Sequence, residues 1–539
     1  MFKQINYKKA SWIAISIFLA VLIVYLAVET FTIKKDLNSV QRTTLTDRYG
    51  KVLNPDTQLK SNKDVPQFIS KYIEKTGKLA ELPSILYPTN YTKQTISRFL
   101  LKTVSHDEQM KTLMNNAYMD FGIIGMEGGA HYYFQKDLQD TSKLEQAFLL
   151  SKLESKRTTD IQNDSQAFLK VLSKNGVITN SEYSSDKVKM AELVNSLKNA
   201  HTYAQSYVQE ALLESEKALG LSEVDLMRKG YRIYTNLDPQ LQKTLYSHFQ
   251  QDDNFPLKEN FKVESGMVIA NKTTGEVLGL MGGRDYQNSS LNRASQIKRQ
   301  PASTFKPLIV FAPAIDLGWK PNALLKDVPM VVGGYKPENY DYKYRGQVSF
   351  KDTVIHSYNV PTVWLLSQIG LDKGMKYVNN FGLFNVNQND GYKNALGFLS
   401  NGTSPLTMAE AYTIFPNDGE MVQVHTIREI KDTQGKRIYL PNQEKKRIIK
   451  KETANEMNKL LRSVVLDGTA NKANIDGQFV AGKTGTTSYD GWFVGYTKKY
   501  VTAVWMGSDV ITPNNQLTID GGGYPSILFK KVMTDLSQQ

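Results

Sequence analysis

Strand-forming sequence occurs in two stretches that lie far apart in the chain. Residues 266–270 and 277–281 are mostly apolar and flank the turn sequence Asn-Lys-Thr-Thr-Gly-Glu, which predicts a hairpin. Three further strands are predicted between residues 478 and 506, where aromatic and β-branched residues are enriched. The sequence between these stretches has mainly helical patterns. We therefore predict an α+β fold, in which a five-stranded antiparallel sheet flanked by helices encloses an inserted helical subdomain.

The N-terminal part of the chain is predicted to be helical. From Ile96 to about Leu219, apolar residues recur at the spacing of amphipathic helices. Upstream, residues 43–53 contain an Asp-x-x-Gly turn between apolar pairs, which predicts a short hairpin. A chain of 539 residues is too long for one ordinary core. We expect a helical domain over residues 41–220 and an α+β domain over residues 230–539.

Residues 12–28 form an uninterrupted run without charge, and with the residues up to 31 the segment approaches the ~20 residues that span a bilayer. The lysines that precede this run place the N-terminus in the cytoplasm. A cleaved signal peptide is the alternative, but the run is longer than a signal h-region and no Ala-x-Ala site follows it closely. We predict a cytoplasmic tail over residues 1–11, a single transmembrane anchor over residues 12–31, and the rest of the chain outside the cell.

The composition narrows the possible partners. The chain has no cysteine, which excludes disulfides and thiolate chemistry. Its six histidines are scattered, without the spacing of metal ligands, so we predict no metal site and no cofactor. The net charge is +13 and the pI is near 9.2. Because the basic residues are spread out and no nucleic-acid motif occurs, we expect an anionic membrane or wall surface as the partner and no nucleic acid.

The segment 299–307 carries a candidate nucleophile and its base. Ser303 and Lys306 are three residues apart, so their side chains can touch on one face of a helix. A serine attacks when a neighbouring base takes its proton, and a lysine is such a base when burial lowers its pKa. Ser-x-x-Lys also occurs at residues 184–187 and 295–298. A single match is usually a solvated helix face, so the third needs companions further along the chain.

Two companions follow in order. Ser357-Tyr358-Asn359 lies in a tight connection between two predicted helices, and Lys483-Thr484-Gly485-Thr486 lies on a predicted strand. The edge of such a strand can pair with an extended peptide, while the lysine and the two threonine hydroxyls can hold a carboxylate. Another Lys-Thr-Gly, at residues 75–77, is polar and precedes every serine candidate. We predict that it ends a helix.

Together, Ser303-Thr304-Phe305-Lys306, Ser357-Tyr358-Asn359 and Lys483-Thr484-Gly485-Thr486 resemble the three active-site motifs of the penicillin-binding proteins. Their order suits that fold, and the match covers about residues 230–536. Ala302 departs from the family, which usually has glycine at this position. The sequence Thr-Asn-Leu-Asp at residues 235–238 resembles the entry to the transpeptidase domain of class A members.

The resemblance implies a D,D-transpeptidase of bacterial peptidoglycan. Ser303 would attack the D-Ala-D-Ala amide of a stem peptide, with neutral Lys306 as the base. Ser357, kept basic by Lys306 and Lys483, would relay a proton to the leaving amine. Asn359 would hold a side amide of the substrate. An amine from a second stem peptide would then form the crosslink. β-Lactam antibiotics would acylate the same serine.

The resemblance also implies how the substrate is held. Lys483, Thr484 and Thr486 would bind its terminal carboxylate along the strand that contains Gly485, and the N–H groups of Ser303 and Thr486 would form the oxyanion hole. Three alternatives use the same residues: a D,D-carboxypeptidase with water as acceptor, a class A β-lactamase, and a non-catalytic sensor of β-lactams or wall fragments. A β-lactamase is a smaller secreted domain, which makes it the poorer match. Other wall-synthesis proteins are expected as further partners.

The helical region resembles the family 51 glycosyltransferase domain of class A members, but with its chemistry lost. Residues 95–102, 105–122 and 125–134 resemble conserved segments of that domain. However, the E-D-x-x-F motif with the general-base glutamate is missing between Asp47 and Thr95, and Lys111 stands where the family has a glutamate. General acid–base catalysis needs a positioned carboxylate. We predict a degenerate domain that serves as a spacer, a binding surface or a pedestal for the transpeptidase.

Overall fold

The computed structural model describes residues 7–38, 42–54, 59, 65–86, 91–119, 122–154, 161–199, 203–258, 261–286, 291–517 and 521–538. The N-terminal part of these ranges is mainly helical, as its periodicity predicts. Its helices α1 to α11 are Tyr7–Asn38, Gln67–Thr76, Leu82–Leu86, Tyr91–Leu101, His106–Asn116, Met126–Phe134, Lys143–Glu154, Ile161–Lys174, Asn180–Asn199, Gln205–Leu219 and Glu223–Met227. The Lys-Thr-Gly at residues 75–77 ends α2 as predicted, because Gly77 takes the left-handed conformation that closes a helix.

The anchor predicted over residues 12–31 lies on α1. Residues 1–6 and the side chains of residues 7–16 lie outside the described part of the chain. Among the residues that are described, no helix is both long and apolar enough to cross a membrane. The tail and the anchor therefore stay predictions from the sequence.

The strands form the predicted antiparallel sheet and three smaller sheets. Strands β1 to β13 are Thr44–Thr46, Arg232–Thr235, Glu264–Asn271, Val277–Met281, Leu324–Asp327, Gly346–Ser349, Glu420–Met421, Ile427–Lys431, Arg437–Tyr439, Lys446–Arg447, Ala481–Thr486, Asp490–Tyr496 and Tyr500–Gly507. The large sheet has the order β11-β12-β13-β3-β4, and every neighbouring pair in it is antiparallel. The two strand-forming stretches therefore meet side by side, at β13 and β3.

Helices cover both faces of the large sheet. Helices α12 to α19 are Pro239–Phe249, Ala312–Asp316, Phe350–Ile355, Asn359–Ile369, Leu371–Phe381, Pro405–Tyr412, Lys451–Asp467 and Tyr524–Ser537. Residues 493 and 496 of β12 point to opposite faces, because side chains alternate along a strand. The ring of Phe493 lies 4.7 Å from that of Phe529 on α19, and the ring of Tyr496 stacks 6.5 Å from that of Phe415, just beyond α17. The sheet is therefore buried between α19 and α17.

A second sheet connects the N-terminal region with the rest of the chain. Its order is β1-β2-β8-β9, and β1 runs parallel to β2. The hairpin predicted for residues 43–53 is present but short: Leu53 donates to the backbone oxygen of Leu45 at 2.8 Å, and Thr46 makes an antiparallel bridge to Val52 across the turn that ends at Gly50. All of β1 also pairs with β2, which the turn pattern did not predict. A local turn pattern cannot reveal a strand partner that comes from far along the chain.

Helix α10, the last long helix of the N-terminal region, packs against the large sheet. The Tyr207 hydroxyl lies 2.6 Å from the carbonyl oxygen of Val277 and 3.0 Å from that of Thr426. Ser206 Oγ donates to the carbonyl oxygen of Leu280 at 2.9 Å. Buried residues of α10 belong to the same hydrophobic core as the sheet. The domain boundaries at residues 220 and 230 stay predictions, but α10 shares the core of the C-terminal region.

Candidate active site

A cavity of about 410 Å³ lies where the inserted helices meet β11, at the edge of the large sheet. Residues of all three predicted motifs line it: Ser303, Ser357, Asn359, Thr484, Gly485 and Thr486. The two remaining predicted residues, Lys306 and Lys483, lie beside them with 0% of their surface exposed. The structure therefore brings all eight predicted site residues together.

Ser303 lies on a tighter turn than the α-helix that its sequence predicts. Residues Ala302–Phe305 form a 3₁₀ turn, and Pro307–Phe311 form a π turn before α13. Because a 3₁₀ turn has three residues, it aligns the side chains of Ser303 and Lys306. Ala302 has a φ of 49°, a left-handed conformation that costs glycine least. This backbone accounts for the glycine that the resembling family usually has here.

The side-chain nitrogen of Lys306 lies at the centre of a hydrogen-bond network. Its Nζ donates to the backbone oxygen of Ser357 and to Oδ1 of Asn359, both at 2.7 Å. It also lies 3.3 Å from Ser357 Oγ and 3.3 Å from the backbone oxygen of Tyr358. In the described part of the chain no hydrogen bond involves Ser303 Oγ. The hydrogen bond between a catalytic nucleophile and its base often tightens only when substrate is bound.

Ser357 Oγ lies between the two lysines. Lys483 Nζ donates to it at 2.8 Å, and Lys306 Nζ lies 3.3 Å from it. Lys483 also donates to the backbone oxygen of Thr484 at 3.1 Å. Ser357 has a φ of 58°, which is strained for a residue with a side chain. Such strain clusters at active sites, where surrounding contacts hold it.

The two lysines differ in how readily they lose a proton. Burial, together with the charge of Lys483, holds the pKa of Lys306 well below its usual value. Burial lowers the pKa of Lys483 to about 7. Both effects act by disfavouring the charged form. A lowered pKa makes the neutral amine of Lys306 available to accept a proton at neutral pH, and Lys483, with a pKa of about 7, can still carry part of a positive charge.

Strand β11 approaches the Ser303 turn closely. A Cβ atom on Gly485 would lie 2.6 Å from the backbone oxygen of Pro301, so a larger residue would push the strand away. Thr484 Oγ1 lies 2.7 Å from Thr469 Oγ1, and Thr486 Oγ1 accepts a hydrogen bond from the Gly521 amide at 2.9 Å. The glycine brings the strand to the turn, and both threonines remain in the cavity lining.

Sequence patterns missed residues that hold this arrangement in place. Asp490 Oδ1 accepts from Arg299 Nε at 2.6 Å and from Trp505 Nε1 at 2.8 Å. This buried carboxylate ties the segment before Ser303 to β12 and β13. Arg299 flanks the serine motif, but no sequence signal pairs it with Asp490, because the two residues meet only in the folded chain.

The other Ser-x-x-Lys matches lie outside the cavity. Ser184 lies on α9, and its Oγ donates to the backbone oxygen of Asn180, one turn earlier, at 3.1 Å. Ser295 Oγ donates to the carboxylate of Glu210. Neither residue lines the cavity that contains Ser303.

One histidine meets carboxylates that its sequence spacing did not reveal. His131 Nε2 lies 3.3 Å from Glu127 Oε1 and 3.0 Å from Asp137 Oδ1. Potential ligand atoms of the three residues lie within 4.8 Å of one another. The spacing of the histidines along the sequence therefore did not reveal this group. Interaction of the His131 imidazole with the two carboxylates explains these short distances.

Comparison with known proteins identifies the C-terminal region. The sequence profile of the penicillin binding protein transpeptidase domain matches residues 265–534. Penicillin-binding protein 1F of Bacillus subtilis (strain 168) is 34% identical over 464 residues, which are 83% of this chain and 64% of the relative. Penicillin-binding protein 4 of the same organism is 30% identical over 457 residues, 78% of this chain and 72% of the relative. The chain thus spans a little under two thirds of the first of these relatives.

Solved structures share the fold. The crystal structure of penicillin-binding protein 1A from Haemophilus influenzae has a TM-score of 0.56 at 17% identity and covers 93% of this chain and 92% of that one. The PonA1 protein from Mycobacterium tuberculosis, in complex with penicillin V, has a TM-score of 0.53 at 22% identity and covers 61% of this chain and 91% of that one. These matches confirm the resemblance that the three motifs predict. The chain belongs to the penicillin-binding protein transpeptidase family.

Proposed function

We propose that this chain is a peptidoglycan D,D-transpeptidase that works through an acyl-enzyme on Ser303. One observation carries the proposal: Lys306 and Lys483, both buried, meet at Ser357 Oγ beside the cavity that Ser303 lines. A neutral lysine amine can accept the proton of a serine, and a positively charged lysine nearby favours the binding of an anionic substrate. This combination suits attack on an amide next to a terminal carboxylate.

Acylation uses the groups around Ser303. Its Oγ attacks the carbonyl carbon of the D-Ala-D-Ala bond while Lys306 accepts the hydroxyl proton. The N–H groups of Ser303 and Thr486 donate to the oxyanion. Ser357 passes its proton to the leaving nitrogen and regains one from Lys306, the C–N bond breaks, and D-alanine leaves. Asn359 holds a side amide of the peptide.

The edge of β11 holds the substrate. The stem peptide lies along this strand, and Thr484 and Thr486 donate to its terminal carboxylate. Lys483 is buried, so it contributes its charge and acts through Ser357 Oγ. In the second half of the reaction, an amine of another stem peptide attacks the Ser303 ester. The new amide is the crosslink, and the serine regains its proton.

We place this activity outside the cell, with the chain held at the membrane by residues 12–31 and its N-terminus in the cytoplasm. Described side chains of α1 between Ile17 and Val28 are apolar, and many of them are exposed, which suits a lipid environment. The ligands are then stem peptides and β-lactams, and other wall-synthesis proteins are neighbours.

Two other activities fit the same site. A D,D-carboxypeptidase would transfer the acyl group to water, and a sensor of β-lactams or wall fragments would be acylated without turnover. The sign of the transpeptidase is a crosslinked product that forms only when an acceptor amine is present. Purified full-length chain should convert a stem-peptide donor and an amine acceptor into this product. Hydrolysis alone, or acylation without release, would favour the other two activities.

Labelling with a fluorescent penicillin tests the nucleophile. The label on full-length chain should map to the peptide that contains Ser303, and Ser303→Ala should abolish it. Ser295→Ala is the matched control, since this serine also belongs to a Ser-x-x-Lys sequence but lies outside the cavity. Labelling that persists in the folded Ser303→Ala chain would contradict the assignment.

A further inference from the structure

Helix α15 begins within the second motif and lacks a cap of its own. Its first residue is Asn359, and Tyr358, at the N-cap position, makes no side-chain hydrogen bond to the helix. The first amide groups of a helix have no acceptor within the helix, so they need one from elsewhere. In α15 the first two of these amides are those of the catalytic Asn359 itself and of Val360.

A residue from another segment supplies this acceptor. Asn339 Oδ1 accepts from the amide of Asn359 at 2.9 Å and from the amide of Val360 at 3.0 Å. Asn339 is 1% exposed, so water does not compete for these groups. Asn339 therefore caps α15 from outside the helix, in the manner of an N-cap side chain.

The other end of the Asn339 side chain is held as well. Its Nδ2 donates to Oδ1 of Asp327 at 2.6 Å and to the backbone oxygen of Lys343 at 2.8 Å. Asp327 is fully buried at the end of β5. Two acceptors for the amide nitrogen and two donors for its oxygen determine which way the amide group points.

The cap is connected to the catalytic lysine. Asn359 Oδ1 accepts from Lys306 Nζ at 2.7 Å, and Asn359 Nδ2 donates to the backbone oxygen of Glu338, next to Asn339, at 2.9 Å. A continuous series of hydrogen bonds thus runs from Asp327 through Asn339 and Asn359 to Lys306. We propose that Asn339 is a positioning residue that holds Asn359, and through it Lys306, in place for acylation.

This inference rests on the proposed function and is tested by acylation kinetics of the full-length chain with a β-lactam. Asn339→Ala should lower the acylation rate constant at saturation about 10- to 100-fold, because small misplacements of reacting groups cost this much. The affinity of the preceding complex should change little, since Asn339 does not line the cavity. Asn254→Ala is the matched control, because Asn254 is also 1% exposed but lies far from the site in sequence, after α12. It should acylate at the wild-type rate.

A double variant separates positioning from a general loss of stability. Asn339→Asp places a second carboxylate next to Asp327, and it should slow acylation. Adding Asp327→Asn restores the donor–acceptor pair between these two positions with the groups exchanged, but the backbone oxygen of Lys343 stays without its donor and the ion pair between Asp327 and Arg345 is lost. The acylation rate should therefore recover in part, to a value above that of Asn339→Asp alone. Asn339→Ala that acylates at the wild-type rate overturns the inference, and so does a folded exchange variant without recovery. A wild-type chain that no β-lactam acylates overturns the proposed function itself.

Discussion

The hydroxyl of Ser357 accepts hydrogen bonds from two lysines that are both fully buried. Two ammonium groups around one hydroxyl disfavour each other, and burial disfavours both. One of them is therefore best placed as a neutral amine. Burial lowers the pKa of both lysines, and at Lys306 the charge of Lys483 acts in the same direction. This asymmetry divides the roles of base and cation between the two residues.

Arginine variants test this division of roles. Lys306→Arg should reduce β-lactam acylation about 10²- to 10⁴-fold, the usual contribution of a general base, because arginine does not give up its proton. Lys483→Arg keeps the positive charge and should retain more activity. Both sites are fully buried, so the larger side chain disturbs both of them. Stopped-flow fluorescence measures the acylation rates of the two variants. An equal loss of rate in both would contradict the assignment.

The pH dependence follows from the same two groups. Lys306 must be neutral to act, so acylation should rise as the pH increases through its lowered pKa. Lys483, with a pKa of about 7, loses its charge as the pH rises further, so acylation should decline on the alkaline side. In Lys483→Arg the alkaline decline should disappear while the acid limb remains. Rates measured from pH 5 to 9 in both chains provide the test.

At the scale of secondary-structure elements, the 3₁₀ turn that contains Ser303 has a strained backbone at Ala302, and a substitution there could relieve the strain. Ala302 has a φ of 49°, and left-handed alanine costs about 1–2 kcal/mol relative to the ordinary conformation. Ala302→Gly removes this strain but adds about 0.4–1 kcal/mol of freedom to the unfolded chain. We expect a net gain of about 0–1.6 kcal/mol in the free energy of unfolding.

Urea unfolding followed by tryptophan fluorescence measures this gain as a higher midpoint. The control is Ala314→Gly, on the short helix α13, where glycine should lower the free energy of unfolding by about 1 kcal/mol or more, because a buried methyl group is lost as well. A lower midpoint for Ala302→Gly would mean that the alanine side chain contributes more by packing than its backbone costs.

Helix α10 connects the two parts of the chain through the Tyr207 hydroxyl. Tyr207→Phe removes the hydroxyl that the carbonyl oxygens of Val277 and Thr426 share, and Thr426 keeps the Asn236 amide as a donor at 2.8 Å. The loss of this buried hydrogen bond should cost about 0.5–1.5 kcal/mol in the free energy of unfolding. Tyr91→Phe, at a position that is 80% exposed, should change stability little. Thermal unfolding of the two variants makes the comparison. Equal midpoints would show that the α10 contact is dispensable.

At the scale of the whole molecule, the helical region should not polymerise lipid II. Lys111 stands where the resembling family has a glutamate, and Glu81 is an exposed residue paired with Lys78 at 2.6 Å. A lysine has no carboxylate, and the Glu81 carboxylate is exposed and paired with Lys78, so neither residue offers a general base positioned in a site. Full-length chain in detergent should give no glycan polymer from lipid II, with or without divalent metal, while the same preparation is acylated by penicillin. Polymer formation by pure protein would overturn this prediction.

Several features could be read from the sequence because their signals are local. Composition and alternation within single segments predict the five strands, and three short motifs in the right order predict the family. The Lys-Thr-Gly at the end of α2 could be separated from the one on β11 by its polar surroundings alone. These predictions depend on residues that are neighbours in the chain.

The tertiary structure decided how these segments meet. The parallel pairing of β1 with β2, the 3₁₀ turn at Ser303 and the cap that Asn339 places on α15 have no local signal. The same is true of the Arg299–Asp490 pair and of the meeting of both lysines at Ser357 Oγ. The sequence by itself determined which chemical groups are present and which segments carry them. Their distances and their pKa values arise only when distant segments pack together and exclude water, because burial and contact are properties of the folded chain.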